Sequence, residues 1–274
     1  MRRFDLISDI HLDFWVKDAH SLWSLNKKIR RFAAQLLPEN GSRTLLIAGD
    51  LGHSNQQNYM LLKFLKEHYQ HIVLVWGNHD YYLSRRRIED PGGFDSIDRI
   101  HEMRQLASQL PGVYCLEGTA VTLDGITYGG CGMWYDLQYG VQVLKSDMNH
   151  IFTTWRTVSN DYALIRGKPR YTMDMFKSEQ AKLERILTES DVLLTHVSPD
   201  WSRVPEGKQL QVSTSFYYFD GAPYFQRIAG KVWCFGHIHH RMDYTMHQCR
   251  FINGSLGYPK DNPAGPKRIV SIDI

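Results

Sequence analysis

Five short blocks of aspartate, asparagine and histidine could together form a metal centre. In chain order they are Asp9-Ile10-His11, Gly49-Asp50, Gly77-Asn78-His79-Asp80, the single His196, and Gly236-His237-Ile238-His239. They offer carboxylate and amide oxygens and imidazole nitrogens, and no thiolate. Donors of this kind suit manganese, iron, zinc or nickel, not a soft copper or iron–sulfur site. We predict a centre of divalent ions, with manganese as the leading candidate.

The number of donors indicates two ions. The predicted metal ligands are Asp9, His11, Asp50, Asn78, His196, His237 and His239. One ion does not need so many ligands, whereas two ions that share a carboxylate would use them all. Two cations about 3.5–4 Å apart form a clamp for the attacking and leaving oxygens of a displacement at phosphorus. The pattern therefore predicts hydrolysis of phosphate esters.

Each block follows a short apolar segment that is typical of a β-strand. The predicted strands cover residues 4–8, 44–48, 72–76, 192–195 and 231–235. Ligands of open α/β sheets bind outside the carboxyl ends of the strands, and neighbouring strand ends lie about 5 Å apart. The glycines before Asp50, Asn78 and His237 fit tight turns where backbone segments approach closely. We therefore predict one shared site at that edge.

Amphipathic stretches alternate with these strands. Apolar residues recur at helical spacing over 21–37, 58–69 and 177–188. The order strand–helix–strand–helix–strand predicts parallel pairing through crossover connections. Hairpins are predicted at 121–128 and 242–252, and a last strand at 268–272. The stretches 132–172 and 199–221 show no clear pattern, and we interpret them as insertions above the core of a single domain spanning 1–274.

Length and composition are typical of a globular protein. Of the 274 residues, 43% are hydrophobic and 22% are charged, which excludes collagen-like and low-complexity chains. The net charge of +3 is too small to indicate nucleic acid by itself. The absence of an apolar run near the roughly 20 residues of a membrane span, and the charges of Asp5 and Asp9, predict a cytoplasmic protein without a membrane partner. Four scattered cysteines argue against a thiolate zinc site or a disulfide framework.

The ordered blocks resemble the calcineurin-like metallophosphoesterase superfamily. Its pattern is Asp-x-His, Gly-Asp, Gly-Asn-His-Asp/Glu, a lone His and Gly-His-x-His, and all five occur here in that order. The resemblance implies an α/β fold, a four-layer α/β/β/α sandwich of two mixed sheets flanked by helices. It implies that one ion is held by Asp9, His11, Asp50 and His239. The second would be held by Asp50, Asn78, His196 and His237, with Asp50 as the bridge.

The predicted catalytic residues are His79 and Asp80. A hydroxide between the two ions would attack phosphorus, and His79 would protonate the leaving group. His79 lies between Asn78 and Asp80, and Asp80 could orient or charge its imidazole. Asn78 could also touch the phosphate.

Other residues near the blocks are candidates for substrate contacts. His53 could contact the substrate or orient a ligand, or it could be a loop residue. Arg241 could reach a phosphate, although a solvated turn is an equal alternative. His150 could close over the site from its insertion. The cluster Arg85-Arg86-Arg87 could hold a second phosphate or a nucleic-acid backbone, although a solvated helix face is favoured. Asp13 is interpreted as a turn or cap residue.

Three functions are open at this point. The leading one is hydrolysis of a small phosphoester or nucleotide, as a phosphatase or a phosphodiesterase, because the same core serves both. The second is a nuclease of the DNA-repair metallophosphoesterase type, which the modest charge and the short stretch after the last block disfavour. The third is a non-catalytic scaffold on the same fold, which the intact blocks disfavour. The sequence makes no prediction of the oligomeric state.

Overall fold

A computed structural model describes residues 2–84, 88–89, 93–167 and 172–274. The helices are α1 (Leu12–Trp15), α2 (Leu22–Leu36), α3 (Asn55–Lys66), α4 (Ser96–Ser108), α5 (Met148–Val158), α6 (Asn160–Leu164) and α7 (Thr172–Ile186). The strands are β1 (Arg3–Ile7), β2 (Thr44–Ala48), β3 (His71–Val75), β4 (Val113–Cys115), β5 (Thr119–Leu123), β6 (Ile126–Gly130), β7 (Val192–Leu194), β8 (Val232–Phe235), β9 (Met242–Met246), β10 (Cys249–Asn253) and β11 (Val270–Asp273). In this described part, no helix combines the length and the apolar character needed to cross a bilayer.

The first sheet has the strand order β11-β1-β2-β3-β4 within the described residues. Strands β1 to β4 pair in parallel, and β11 joins β1 antiparallel at the edge. In chain order, α2, α3 and α4 lie between the consecutive parallel strands as crossover helices. This confirms the parallel pairing that the alternation of strands and helices predicts.

The second sheet has the strand order β5-β6-β7-β8-β10-β9. Its four central strands are parallel, and the antiparallel hairpin partners β5 and β9 lie at its edges. Both hairpins lie where the sequence predicts them. Both sheets are therefore mixed, as the resemblance implies.

Side chains alternate along each strand and so divide the interior into layers. Along β2, Leu45 and Ile47 pack with the helices that cover the first sheet. The intervening Leu46 and Ala48 pack against the second sheet. A strand buried on both faces has this continuous apolar sequence, which is why residues 44–48 are hydrophobic throughout.

Strand β8 divides its side chains in the same way on the second sheet. Cys234 faces the first sheet, whereas Trp233 and Phe235 pack with α7 and with the two insertions. Helices and insertions therefore cover the outer faces of both sheets, which confirms the four-layer sandwich. All four cysteines are free.

Helix α4 was not predicted, although Ile100, Met103 and Ala107 are buried on one face at helical spacing. Ser96 and Arg99 are buried in the same helix, so its buried face mixes apolar and polar residues. Its N-cap, Asp95, accepts hydrogen bonds from the amides of Ile97 and Asp98 at 2.8 and 3.0 Å. Helix α3 also differs, because it begins three residues before the predicted start at 58, directly after its N-cap Ser54.

Candidate metal centre

All the predicted metal ligands lie just past the carboxyl ends of strands. Asp9 and His11 follow β1, Asp50 follows β2 and Asn78 follows β3, whereas His196 follows β7. His237 and His239 follow β8. A parallel bridge between Ser8 and Ser255 joins the end of β1 to the end of β10. Ligands from the two sheets therefore meet at one edge of the sandwich.

Five of these ligands have a left-handed backbone, which is uncommon for residues with a side chain. Their φ angles are 53° for Asp9, 46° for His11, 60° for Asp50, 68° for His237 and 50° for His239. Such conformations cost of order 1–3 kcal/mol each and persist only where the surroundings enforce them.

The three glycines before Asp50, Asn78 and His237 lie at close approaches of the strand ends, as predicted, and Gly236 and Gly49 show this most clearly. A Cβ atom on Gly236 would lie 2.7 Å from the carbonyl oxygen of Ala48 and 2.8 Å from Oδ2 of Asp9. A Cβ atom on Gly49, whose φ is +82°, would lie 2.5 Å from Nδ1 of His196. These positions have no room for a side chain.

Asp9, His11 and His239 form one group of possible ligands. Nε2 of His11 lies 2.9 Å from Nε2 of His239, which lies 3.5 Å from Oδ1 of Asp9. The hydroxyl groups of Ser8 and Ser255 each donate to Oδ2 of Asp9 at 2.6 Å. Burial opposes ionisation of Asp9, but the hydrogen bond and charge of His239 outweigh it and lower the pKa of that carboxyl group.

A second group contains His196 and His237, and backbone carbonyl groups fix both rings. Nδ1 of His196 lies 2.8 Å from the carbonyl oxygen of Ala48. Nε2 of His237 lies 2.8 Å from that of Phe216. A carbonyl oxygen only accepts, so each of these ring nitrogens carries the proton. In the neutral rings, Nε2 of His196 and Nδ1 of His237 therefore hold lone pairs.

Those lone pairs point at each other. Nε2 of His196 lies 3.1 Å from Nδ1 of His237, 3.1 Å from Oδ1 of Asn78 and 3.5 Å from Oδ2 of Asp50. Burial, followed by the charge of His196, lowers the pKa of His237 to about 3, which disfavours a proton as the partner. The lone pairs of two imidazoles and the oxygens of Asn78 and Asp50 thus converge, an arrangement that a cation satisfies.

Asp50 lies between the two groups. Its Oδ2 is 3.6 Å from Nε2 of His11 and 3.5 Å from Nε2 of His196, and its Oδ1 accepts the amide of His79 at 2.9 Å. Burial, followed by the negative charge of Asp80, raises the pKa of Asp50 well above its usual value. A cation on each side of the carboxylate would relieve this cost.

The spacing of the donors suits metal coordination. At a metal–nitrogen distance near 2.1 Å, adjacent ligands of a tetrahedral or octahedral ion lie about 3.0–3.4 Å apart. The donor separations here are 2.9–3.6 Å. The chain's residues therefore fit the ions that the donor types favour.

Residues of the two insertions complete this centre, and the sequence did not predict their contribution. Asp161 in α6 accepts a hydrogen bond at 2.8 Å from Nδ2 of Asn78, so Oδ1 of Asn78 turns towards His196. Tyr82 and Tyr135 also donate to Asp161, at 2.5 and 2.6 Å. Asp161 lies in a stretch without sequence pattern, and Phe216 contributes only its backbone carbonyl, so neither gave a sequence signal.

Asp80 makes different contacts from those the sequence predicts. Its carboxylate accepts hydrogen bonds from the amides of Gly77, Asp50 and Leu51 at 2.8–3.1 Å. It therefore ties the loop after β3 to the loop after β2, and it contacts backbone amides rather than the ring of His79. The backbone needs these bonds because both loops are buried.

The ring of His79 contacts His53 instead. Nδ1 of His79 lies 2.7 Å from Nε2 of His53, and Nε2 of His79 lies 3.4 Å from the hydroxyl of Tyr258. Burial, followed by the charges of His11 and His53, lowers the pKa of His79. Asp13 in turn contacts His53 at 3.1 Å, so it does more than cap a turn.

The other predicted substrate contacts have different positions. Arg241 donates to the carbonyl oxygens of Ser255 at 2.9 Å and Arg268 at 2.7 Å, so its guanidinium holds the loop after β10. His150 is exposed in the first turn of α5. The cluster of residues 85–87 lies outside the described residues.

Comparison with known proteins agrees with the fold. The sequence matches the family model of calcineurin-like phosphoesterases over residues 2–241, and the chain belongs to this family. It is therefore a metal-dependent phosphoesterase that uses divalent metal ions. No curated protein matches the chain.

The chain is similar to several solved structures, of which three are described here. A phosphopantetheinyl hydrolase from Mycobacterium tuberculosis is 18% identical with a TM-score of 0.73, over 95% of this chain and 91% of that chain. A putative 5′-nucleotidase from Staphylococcus aureus is 15% identical with a TM-score of 0.42, over 92% and 48% of the two chains. Vacuolar protein sorting 29 from Cryptosporidium parvum is 15% identical with a TM-score of 0.34, over 93% and 75%. At this identity, the first structure supports the fold alone.

Proposed function

We propose that this protein hydrolyses phosphate esters of small molecules, including nucleotides and phosphodiesters, with two Mn²⁺ ions bound. The observation that carries the proposal is the convergence of lone pairs from the buried residues Asp50, Asn78, His196 and His237. Asp9, His11 and His239 would hold one ion together with Asp50. The second ion would lie among the converging donors, with Asp50 shared.

The residues around the ions have separate tasks. When bound, two divalent cations supply a water of lowered pKa and neutralise the phosphoryl oxygens. His79 delivers a proton from Nε2 to the leaving oxygen, since its Nδ1 is engaged by His53. Asp161 keeps the Asn78 amide oxygen directed at the centre.

Aromatic rings at the rim support a substrate with a planar group. Phe14 and Tyr217 are exposed. Phe14 packs on Tyr258 with ring centroids 4.7 Å apart, and Tyr258 stacks on His11 at 4.6 Å. Tyr217 lies 5.0 Å from the His237 ring. Such rings could stack on a nucleobase beside the ions.

A substrate screen tests the proposal. The Mn²⁺-loaded protein would be assayed on p-nitrophenyl phosphate, bis-p-nitrophenyl phosphate, nucleotides, cyclic nucleotides, dinucleotides and single-stranded DNA. A phosphopantetheinyl ester belongs in the screen, because the Mycobacterium tuberculosis structure carries the name of a hydrolase of that group. The control is Asp50→Asn, which removes a charge at the centre of the ligands.

We expect turnover of at least one small ester and its loss in Asp50→Asn. Equal rates in both proteins, or no turnover of any ester by protein that holds both ions, would overturn the proposal. Degradation of single-stranded DNA faster than every small ester would favour the nuclease instead.

A further inference from the structure

We propose that a cavity beside α2 is a second ligand site, which binds an organic phosphate whose carbon skeleton is apolar or aromatic. The cavity lies between the end of α1, the exposed face of α2 and the segment before β11, and its volume is about 390 Å³. Small-molecule sites in proteins have volumes of about 300–1,000 Å³. The residues described around the cavity include no predicted metal ligand, so this inference goes beyond the proposed function and does not rest on it.

Aromatic rings form one wall of the cavity. The rings of Trp15 and Phe32 stack with their centroids 5.4 Å apart and 29° between their planes, and Pro266 lines the cavity beside them. Nε1 of Trp15 donates to the carbonyl oxygen of Gly257 at 3.1 Å, and Phe32 is buried. Both rings are therefore held in place before a ligand arrives, which lowers the entropic cost of binding.

Three cationic side chains line the same cavity. They belong to Lys17, Lys28 and Arg31, and the described lining includes no acidic residue. Nζ of Lys28 donates to the backbone carbonyl oxygens of Lys17 and Asp18 at 3.4 and 3.1 Å. A carbonyl group has no net charge, so these bonds hold the ammonium group in place without neutralising it.

The acids nearest to Lys17 in the sequence have other partners. Oδ2 of Asp13 lies 3.1 Å from Nδ1 of His53. Oδ1 of Asp18 accepts a hydrogen bond at 2.9 Å from Nε2 of Gln57. The described residues therefore leave the cavity with an excess of positive charge.

The guanidinium group of Arg31 differs from those of other arginines around it. Arg30 donates two hydrogen bonds to Glu67 at 2.6 and 2.8 Å, and Arg268 donates to Glu39 at 2.7 Å. Within the part of the chain that the structure describes, Arg31 has no such carboxylate partner. The fork of an arginine side chain matches two oxygens of a phosphate group, so Arg31 is free to bind one.

The two kinds of lining define the ligand. A phosphate monoester carries between one and two negative charges near neutral pH, which three cations balance better than they balance the single charge of a carboxylate. The Trp15 and Phe32 rings favour an apolar or aromatic group next to that phosphate. Inorganic phosphate would use only the cations, and an uncharged aromatic molecule would use only the rings.

The cavity is adjacent to the metal centre. Trp15 lies on α1, which begins directly after His11. A Cβ atom on Gly257, the partner of Trp15, would lie 3.6 Å from Nδ1 of His239. A test must therefore separate an anion in the cavity from an anion bound to the metal ions.

The first measurement is an NMR titration of ¹⁵N-labelled, Zn²⁺-loaded protein with 1-naphthylmethylphosphonate, whose carbon–phosphorus bond an esterase does not hydrolyse. The reporter is the indole signal of Trp15, identified by its absence from the spectrum of Trp15→Phe. The variants are Arg31→Gln and Lys28→Gln. The matched control is Lys27→Gln, because Lys27 is an exposed neighbour whose Nζ lies over the Trp23 ring instead.

We expect a saturable shift of the Trp15 signal in the wild type and in Lys27→Gln. The dissociation constant should rise by about 10-fold in Arg31→Gln and in Lys28→Gln, since each removes a charged contact. The same constant in all four proteins would place the phosphonate elsewhere, such as on the metal ions, and would overturn the second site. The absence of a saturable shift in the wild type would also overturn it.

The second measurement tests the chemistry of the ligand in the wild type. Methylphosphonate keeps the charge and lacks the ring, whereas 1-naphthylmethanol keeps the ring and lacks the charge. We expect each to bind at least about 10-fold more weakly than 1-naphthylmethylphosphonate. Equal affinity for either one would contradict the proposed ligand class. Neither titration needs turnover, so both results stand even if the substrate screen fails.

Discussion

At the scale of single residues, the protons on the histidine rings decide what the site can bind. The Ala48 and Phe216 carbonyl groups hold the protons of His196 and His237 away from the centre. Partners of this kind fix the orientation of metal-binding imidazoles, and their loss typically weakens metal affinity by 10–100-fold. The same reasoning extends to Asn78, whose amide is oriented by Asp161.

We therefore predict that Asp161→Ala lowers Mn²⁺ affinity by about 10–100-fold, because the Asn78 amide is no longer held. Calorimetric titration with Mn²⁺ measures the effect. The control is Asn160→Ala, since Asn160 is the exposed neighbour in the same helix. Unchanged affinity in Asp161→Ala would show that Asn78 needs no such partner.

A second residue-scale prediction concerns Asp136, which lies in the first insertion. Burial raises its pKa from 3.8 to about 6, so the folded state binds its proton more tightly than the unfolded state. Its contribution to stability is therefore greatest below pH 4 and is lost as the pH rises through 6. The loss is at most about 3 kcal/mol, since one pKa unit is about 1.4 kcal/mol.

Chemical denaturation of the wild type and Asp136→Asn at pH 4 and pH 7 measures how the contribution of Asp136 to the free energy of unfolding depends on pH. The variant carries no carboxyl group here, so the wild type should gain stability relative to it at the lower pH. A difference between the two proteins that stays constant with pH, or that changes in the opposite direction, would contradict the assignment.

At the scale of elements, strand ends deliver the ligands and the glycines before them allow the approach. We predict that Gly236→Ala destabilises the metal-free protein by about 1–3 kcal/mol, because its Cβ atom would overlap the Ala48 carbonyl group and Asp9. Gly207→Ala is the matched control, since a Cβ atom there has no heavy atom within 4 Å. Equal unfolding midpoints for the two variants would refute the close approach.

The sequence predicted the strand ends well, because an apolar run followed by a ligand is a local pattern. Residues 44–48 were predicted with the bounds that β2 has. Contacts between segments that are distant in the sequence could not be predicted. The Asp161 carboxylate reaches Asn78 across 83 positions of sequence. Arg99 donates to the carbonyl oxygen of His79 from α4, whose buried face mixes Ser96 and Arg99 with apolar residues.

Asp80 shows that residues adjacent in the sequence need not contact each other through their side chains. Its place next to His79 in the sequence suggested a contact between the two side chains. In the 3-10 turn of residues Asn78–Tyr81, its carboxylate instead faces back to the amide of Gly77 at 2.8 Å. The partner of His79 comes from the loop after β2, and only the folded chain brings the two rings together.

At the scale of the whole molecule, the predicted metal ligands come from the strand ends of both sheets, so metal binding should stabilise the entire fold. A ligand present at 100 times its dissociation constant adds about 2.7 kcal/mol per site. We predict that Mn²⁺ raises the unfolding temperature of the wild type and that a chelator reverses the rise. Differential scanning calorimetry measures it, and Asp50→Asn should show little rise. An equal rise in both proteins would place the stabilising ions elsewhere.

Anomalous diffraction from crystals of Mn²⁺-loaded protein tests the two-ion centre most directly. We expect two peaks about 3.5–4 Å apart on either side of Asp50. One peak should contact Asp9, His11 and His239, and the other should contact Asn78, His196 and His237. A single peak, or a pair of peaks away from these side chains, would contradict the two-ion centre.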